Sequence, residues 1–131
     1  MNLLFDTHIW LWIHREPEKL TSEVQAAIAS DETQRWLSPV SIWELVMLIE
    51  KKRVTLHDHL HSWIAKSREE LDLQEASFSW KVAEELPFTQ LTHHDPADRL
   101  LVATARAYGF TFVTADERLM NVPDLQVLAN R

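Results

Sequence analysis

Four acidic residues stand where an ionised carboxylate is costly unless a cation lies near it. Asp6 follows an apolar run, and Glu44 interrupts an otherwise apolar helical pattern. Asp98 lies in the opening turn of a predicted helix, and Asp116 follows a strand-like apolar segment. In an α/β fold, such strand ends and helix starts converge on one edge of the sheet. A carboxylate cluster there suits a divalent cation and a phosphodiester substrate, so the pattern predicts a metal-dependent nuclease.

The types of the candidate ligands indicate which metal would bind. Oxygen ligands with no histidine or cysteine among them suit Mg²⁺ or Mn²⁺ rather than zinc. Two unpaired charges about 5 Å apart repel by roughly 3 kcal/mol at an effective dielectric constant of about 20. Four such acids would destabilise the fold unless a cation or protonation relieved them. Because magnesium keeps several waters, some of the four are expected to act through water.

Each acid also has a structural explanation. Asp95 and Asp98 have the spacing of acids that cap a helix. Asp95 and Asp98 are also alternatives for the third ligand position. Asp6 and Asp116 fit turn positions after strands, and Glu117 stands beside Asp116 as an alternative. Glu44 is the hardest to explain structurally, because its neighbours are apolar and an unpaired carboxylate among them is unfavourable.

Composition limits the classes of function. The 131 residues fit one domain, 1–131, and the absence of cysteine excludes a thiolate site and suits a reducing cytoplasm. A single glycine excludes a Walker loop and a dinucleotide fingerprint, which both need several. The net charge of −7 argues against broad nucleic-acid binding, although residues 51–53 form a small basic patch. No apolar stretch approaches the roughly 18 residues of a spanning helix, and no signal peptide is expected.

Apolar periodicity, caps and glycine predict the secondary structure. Strands are expected at residues 2–5, 36–38, 71–73, 110–114 and 125–128. Helices are expected at 9–13, 21–29, from 39 onward, 58–70, 77–86 and 95–108, with a helical turn at 115–119. This alternation predicts an α/β fold, a three-layer α/β/α sandwich around a mainly parallel sheet.

Four segments carry a family resemblance. The segments LFDTH at 4–8, SIWEL at 41–45, HDPADR at 94–99 and VTADER at 113–118 resemble the signature segments of PIN-domain proteins, and more closely those of VapC-type ribonuclease toxins. The resemblance runs from residue 2 to about residue 128. It implies a PIN-like fold, Mg²⁺- or Mn²⁺-dependent endoribonuclease activity, homodimerisation and a cognate antitoxin. The family's catalytic and metal-binding quartet falls on Asp6, Glu44, Asp98 and Asp116, and Thr114 matches a supporting hydroxyl position.

Two other functional classes also place acids at the edge of a parallel sheet or share this fold. A phosphorylated signalling domain expects paired acids near the first strand and a late lysine, but no lysine follows Lys81. A non-catalytic PIN-like module that binds RNA or protein would be indicated by the loss of one or more acids, and all four are present. Arg99 and Arg118 fit either contacts to RNA phosphates or ion pairs with the neighbouring acids.

Several histidines and two tryptophans are candidates for binding, but most of them have a structural explanation. His57 and His61 have the spacing to share one helix face, although a solvated helix start explains them better, and His93 and His94 are expected in a loop. Trp10 and Trp12, two residues apart on a helix, cannot point the same way. One of them is a candidate for a groove that binds a partner helix.

Overall fold

The computed structural model describes residues 1–91 and 95–131, so the loop expected at His93 and His94 lies outside the described residues. The strands are β1 (Asn2–Phe5), β2 (Gln34–Leu37), β3 (Leu73–Glu75), β4 (Thr111–Thr114) and β5 (Gln126–Ala129). The α-helices are α1 (Thr7–Arg15), α2 (Ser22–Ala29), α3 (Pro39–Glu50), α4 (Leu60–Glu70), α5 (Trp80–Glu85) and α6 (Pro96–Tyr108). Short 3₁₀ turns cover Pro17–Lys19, Leu86–Phe88 and Glu117–Leu119.

The five strands form one sheet in the order β3-β2-β1-β4-β5. Every described strand pair is parallel, and Leu4 of the central strand lies between Trp36 of β2 and Phe112 of β4. The predicted mainly parallel sheet is therefore confirmed. Because all strands run the same way, the residues that follow β1, β2 and β4 meet at one edge.

Two apolar layers cover the two faces of the sheet. Leu3 and Phe5 of β1 pack on one face with residues of α1, α2 and α3, including Trp10 and Leu45. Leu4 faces the other way and packs with residues of α6. This alternation is the two-residue period of a strand buried on both sides. It confirms the three-layer α/β/α sandwich.

Caps account for the helix boundaries that the sequence predicted well. The Thr21 hydroxyl accepts from the Val24 backbone N–H at 3.2 Å, and the Ser38 hydroxyl accepts from the Val40 N–H at 3.0 Å. At the other end of the chain, α6 ends at Gly109, which has a φ of 70°. That left-handed conformation favours glycine because it has no Cβ.

Several predicted boundaries were wrong by a few residues. The first helix begins at Thr7 and extends to Arg15, beyond the predicted 9–13 at both ends. The second and third strands lie at Gln34–Leu37 and Leu73–Glu75, each shifted by two residues at its start. The fifth helix covers only Trp80–Glu85 of the predicted 77–86, because the Ser79 hydroxyl caps it.

The fourth helix also begins later than predicted, at Leu60. His57 therefore lies before the helix and does not share a face with His61, and both side chains are exposed. The solvated helix start is the correct explanation of this cluster. Among the helices of residues 1–91 and 95–131, none is both long enough and apolar enough to cross a membrane.

One buried polar contact ties α1 to α4. Trp10 is fully buried and its indole Nε1–H donates to the Ser67 Oγ at 2.7 Å, while His14 Nε2 lies 2.7 Å from the same oxygen. Trp12 is only partly buried, so the two tryptophans point in different directions as expected. Burying an indole N–H requires an acceptor, and Ser67 supplies it.

Candidate active site

The first acid, Asp6, lies between the end of β1 and the start of α1. Its side chain is buried, at 9 % exposure, and its Oδ2 accepts a hydrogen bond from the Thr114 hydroxyl at 2.6 Å. Burial raises the pKa of Asp6 to about 6. The Thr114 hydrogen bond opposes this shift, and the charge of Asp98 adds to it. The ionised form of Asp6 is therefore disfavoured by burial and by Asp98, and the Thr114 hydrogen bond offsets part of this cost.

The second acid, Glu44, lies half-buried on α3 and contacts the first turn of α1. The Thr7 hydroxyl donates to Glu44 Oε1, and the Thr7 and Ser41 hydroxyl oxygens are 2.8 Å apart. Because a hydroxyl carries one hydrogen, Thr7 can donate to Glu44 while it accepts from Ser41. Burial raises the pKa of Glu44 to about 7, and the negative charges of Asp6, Asp95 and Asp98 add to the shift against the opposing Thr7 bond.

Asp95 and Asp98 are the two candidates for the third acid of the site, and their contacts differ. Asp95 Oδ1 accepts from the backbone N–H groups of Ala97 at 2.9 Å and Asp98 at 3.4 Å, so this carboxylate caps α6. Asp98 lies one turn further, is only 7 % exposed, and raises the pKa of both Asp6 and Glu44. The cap favours Asp98 as the site residue. Asp95 remains close enough for its charge to act on Glu44.

The fourth acid, Asp116, follows β4 and begins the last 3₁₀ turn. Its backbone N–H donates to the Thr114 Oγ1 at 3.0 Å, so one hydroxyl links Asp116 to Asp6. Its carboxylate binds the Arg118 guanidinium, whose Nη2 also lies 3.9 Å from Asp98 Oδ2. The neighbouring Glu117 is exposed. Asp116 rather than Glu117 is therefore connected to the other acids.

The structure thus places all four predicted acids on one rim, linked by hydroxyl groups, by mutual charge effects and by one arginine. Within residues 1–91 and 95–131, however, no three acidic or histidine side chains are close enough together to hold a metal ion. The donor set consists of oxygen atoms, which suits a hard divalent cation. A guanidinium already lies between Asp98 and Asp116, so this rim accommodates positive charge. The residues present therefore fit a Mg²⁺ or Mn²⁺ ion in chemistry.

Sequence reasoning missed two hydroxyl residues, Thr7 and Ser41. Both are buried, and together they support the Glu44 carboxylate. The position of each hydroxyl residue in the sequence could have indicated its role. Thr7 directly follows Asp6, and Ser41 precedes Glu44 by three residues, which puts the two on one face of a helix.

Comparison with known proteins assigns the family. The model of the PIN domain family matches residues 3–125. The chain belongs to the PIN-domain family. A curated relative, Ribonuclease VapC22 of Mycobacterium tuberculosis (strain ATCC 25618 / H37Rv), is 32 % identical over 118 residues, which cover 89 % of this chain and 88 % of the relative. The resemblance drawn from the four segments is confirmed.

Solved structures with the same PIN-domain fold include complexes of toxins with antitoxins. VapBC2 from Rickettsia felis, bound to a DNA fragment from its promoter, matches with a TM-score of 0.70 at 17 % identity, covering 98 % of each chain. VapBC-1 from nontypeable Haemophilus influenzae matches with a TM-score of 0.71 at 13 % identity, and a toxin–antitoxin complex from Klebsiella pneumoniae with 0.67 at 21 %, each covering 98 % of both chains. At these identities the likeness shows the fold alone.

Proposed function

We propose that this PIN-domain protein is an endoribonuclease toxin that hydrolyses RNA phosphodiester bonds with Mg²⁺ or Mn²⁺ and is neutralised by a cognate antitoxin. The observation that carries the proposal is the meeting of Asp6, Glu44, Asp98 and Asp116 on one rim, in a chain 32 % identical to a protein named as a ribonuclease. A non-catalytic PIN-like module is the alternative, and the retention of all four acids disfavours it.

Each acid has a proposed role. Asp6, Glu44 and Asp98 would hold a divalent cation, and Asp116 would hold a second ion or position a water. The bound cation would lower the pKa of water and neutralise charge on the phosphate. Water attacks phosphorus in line and gives up a proton as its oxygen bonds to phosphorus. The bond from phosphorus to the 3′-oxygen breaks, and that oxygen gains a proton. The products are a 5′-phosphate and a 3′-hydroxyl.

The hydroxyl groups orient these carboxylates. Thr114 donates to Asp6 and accepts from the backbone of Asp116, so it fixes the ends of β1 and β4 relative to each other. Thr7 fixes Glu44 from the first turn of α1. Asp6 and Glu44 are therefore positioned before a substrate arrives, which is what electrostatic catalysis requires.

Partner binding is supported by exposed apolar side chains. Trp80 is 88 % exposed, and Trp43, Phe78 and Phe88 are each about half exposed. Aromatic side chains are enriched in the surfaces that partner proteins cover. They support the proposed binding of an antitoxin and of a second copy of this chain as a homodimer.

Cleavage of total cellular RNA by the purified protein tests the activity. We expect cleavage with Mn²⁺ or Mg²⁺, none with a chelator, and products with 5′-phosphates. Asp6→Asn and Asp98→Asn should lower the rate by about a hundredfold or more, because each removes a proposed ligand charge. Asp31→Asn changes an exposed turn residue and should retain full activity. Full activity of both site variants, or undiminished cleavage in chelator, would refute the proposal.

A further inference from the structure

A cation supplied by the chain itself already binds one of the four acids. The Arg118 guanidinium holds the Asp116 carboxylate with two parallel hydrogen bonds, from Nε to Oδ1 at 3.0 Å and from Nη2 to Oδ2 at 2.7 Å. The same Nη2 lies 3.9 Å from Asp98 Oδ2. Paired bonds of this kind are among the stronger side-chain contacts because both groups are charged and planar.

Hydrogen bonds hold the backbone around Arg118 in place. Asp116 Oδ1 also accepts from the Arg118 backbone N–H at 3.0 Å, and the Asp116 N–H is held by Thr114. Leu119, the next residue, is fully buried. The Arg118 side chain, in contrast, is 58 % exposed. The backbone is therefore anchored while the side chain has room to leave the carboxylate.

A second arginine next to one of the acids makes a different contact. Arg99 directly follows Asp98, yet its Nη2 donates to the backbone carbonyl of Leu86 at 3.1 Å. Proximity in sequence to an acid is therefore not sufficient for the pairing seen at Arg118. The geometry at Asp116 reflects the turn that places the guanidinium opposite the carboxylate.

Arg118 in this pairing competes with a divalent cation for the Asp116 carboxylate. Both Asp116 oxygens accept hydrogen bonds from Arg118, and a positive guanidinium between Asp98 and Asp116 would repel a second positive charge placed there.

We propose that Arg118 is a positioning residue that acts as an internal counter-ion, holding Asp116 in the metal-free protein and releasing it when a divalent cation binds. This inference rests on the proposed metal-dependent function. Arg118 and the metal compete for one carboxylate. The affinity for metal is therefore lower than the four acids alone would give.

Binding of Mn²⁺ to the full chain, measured by isothermal titration calorimetry, tests the competition. Arg118→Gln should lower the dissociation constant for Mn²⁺ by about fivefold, the upper end for the loss of an exposed ion pair. Arg99→Gln is the matched control, since it removes the same charge from the residue beside Asp98, and the described contact of its side chain is with the Leu86 carbonyl rather than with Asp116. It should change the dissociation constant by less than about twofold.

Two further variants separate pairing from bulk charge. In an Asp116→Asn background, Arg118→Gln should tighten binding clearly less than in the wild type, because the paired carboxylate is gone and only the longer contact with Asp98 remains. Arg118→Lys keeps the charge but loses the two-pronged contact, and it should bind Mn²⁺ more tightly than the wild type but less tightly than Arg118→Gln. If Arg118→Gln does not fold by circular dichroism, Arg118→Lys carries the test.

Three outcomes would overturn the inference. Unchanged or weaker Mn²⁺ binding by a folded Arg118 variant would show no competition. Equal tightening by Arg99→Gln would show a general charge effect. Absence of Mn²⁺ uptake by both the wild type and Arg118→Gln would refute the metal-dependent function as well, whereas wild-type uptake that is indifferent to Arg118 would refute this inference alone.

Discussion

Replacing Asp6 by asparagine should stabilise the metal-free protein at neutral pH. Asp6 is buried at the end of the central strand, and burial raises its pKa from 3.8 to about 6. Asparagine has nearly the same shape, and its Oδ1 can still accept the hydrogen bond that Thr114 donates to the carboxylate. The substitution therefore removes the charge while it keeps the main contact.

The size of the effect follows from the shift in pKa. A raised pKa in the folded state means that folding favours the protonated form of Asp6. The contribution of Asp6 to the free energy of unfolding is therefore most favourable below about pH 4 and is lost as the pH rises through about 6. The difference between a pKa of 3.8 and one of about 6 corresponds to about 3 kcal/mol. At pH 7.5 the asparagine variant should be more stable by up to about 3 kcal/mol, or about 10 °C in melting temperature for a chain of 131 residues.

Thermal and urea unfolding in EDTA, at several pH values between 4 and 8, measure this difference. Asp31→Asn provides the control, because Asp31 is an exposed turn residue whose replacement should change stability by less than about 0.5 kcal/mol at any of these pH values. The reasoning is refuted if Asp6→Asn is no more stable than the wild type at pH 7.5. It is also refuted if the gain does not shrink towards pH 4, where the wild-type carboxyl is protonated.

Three other substitutions test contacts described above. Ser67→Ala should lower the free energy of unfolding in urea by about 1–3 kcal/mol, because the buried Trp10 indole N–H loses its acceptor; an unchanged value would mean that water or His14 replaces it. Gly109→Ala should cost about 1 kcal/mol through the backbone alone, since φ is 70° and no atom lies within 4 Å of an added Cβ. Thr114→Val should cost about 2 kcal/mol at pH 7.5, when Asp6 is ionised, and clearly less at pH 4. A pH-independent loss for Thr114→Val would contradict the assigned bond to a charged carboxylate.

The best-predicted parts of the fold are those with strong local signals. The first strand is an apolar run buried on both faces, and α6 is marked by its Asp95 cap and by Gly109. The edge strand β3 lacks such a signal, because its three residues are half-buried or exposed. Its position is fixed by pairing with β2, where Arg35 lies opposite Leu73. That register depends on tertiary contacts that the local pattern does not contain.

The acids of the site could be proposed from sequence, but their supporting contacts could not. A carboxylate such as Glu44 among apolar neighbours is conspicuous in any sequence. The hydroxyl that supports it comes from Thr7, 37 residues earlier, and only the packing of α1 on α3 brings the two together. Arg118 fitted either an RNA phosphate or a neighbouring acid. Its place on Asp116 depends on the geometry of a short turn.

The central position of β1 also affects the order in which this protein can assemble. The strand precedes both of its neighbours in the sequence, yet one of them is β4, and Asp6 binds a hydroxyl 108 residues further along. Joining segments so distant in sequence is a slow step in folding. A nascent chain that stops before β4 has an open sheet and lacks Asp116 altogether. A cell that makes a nuclease of this design therefore meets no complete cluster of acids on unfinished chains.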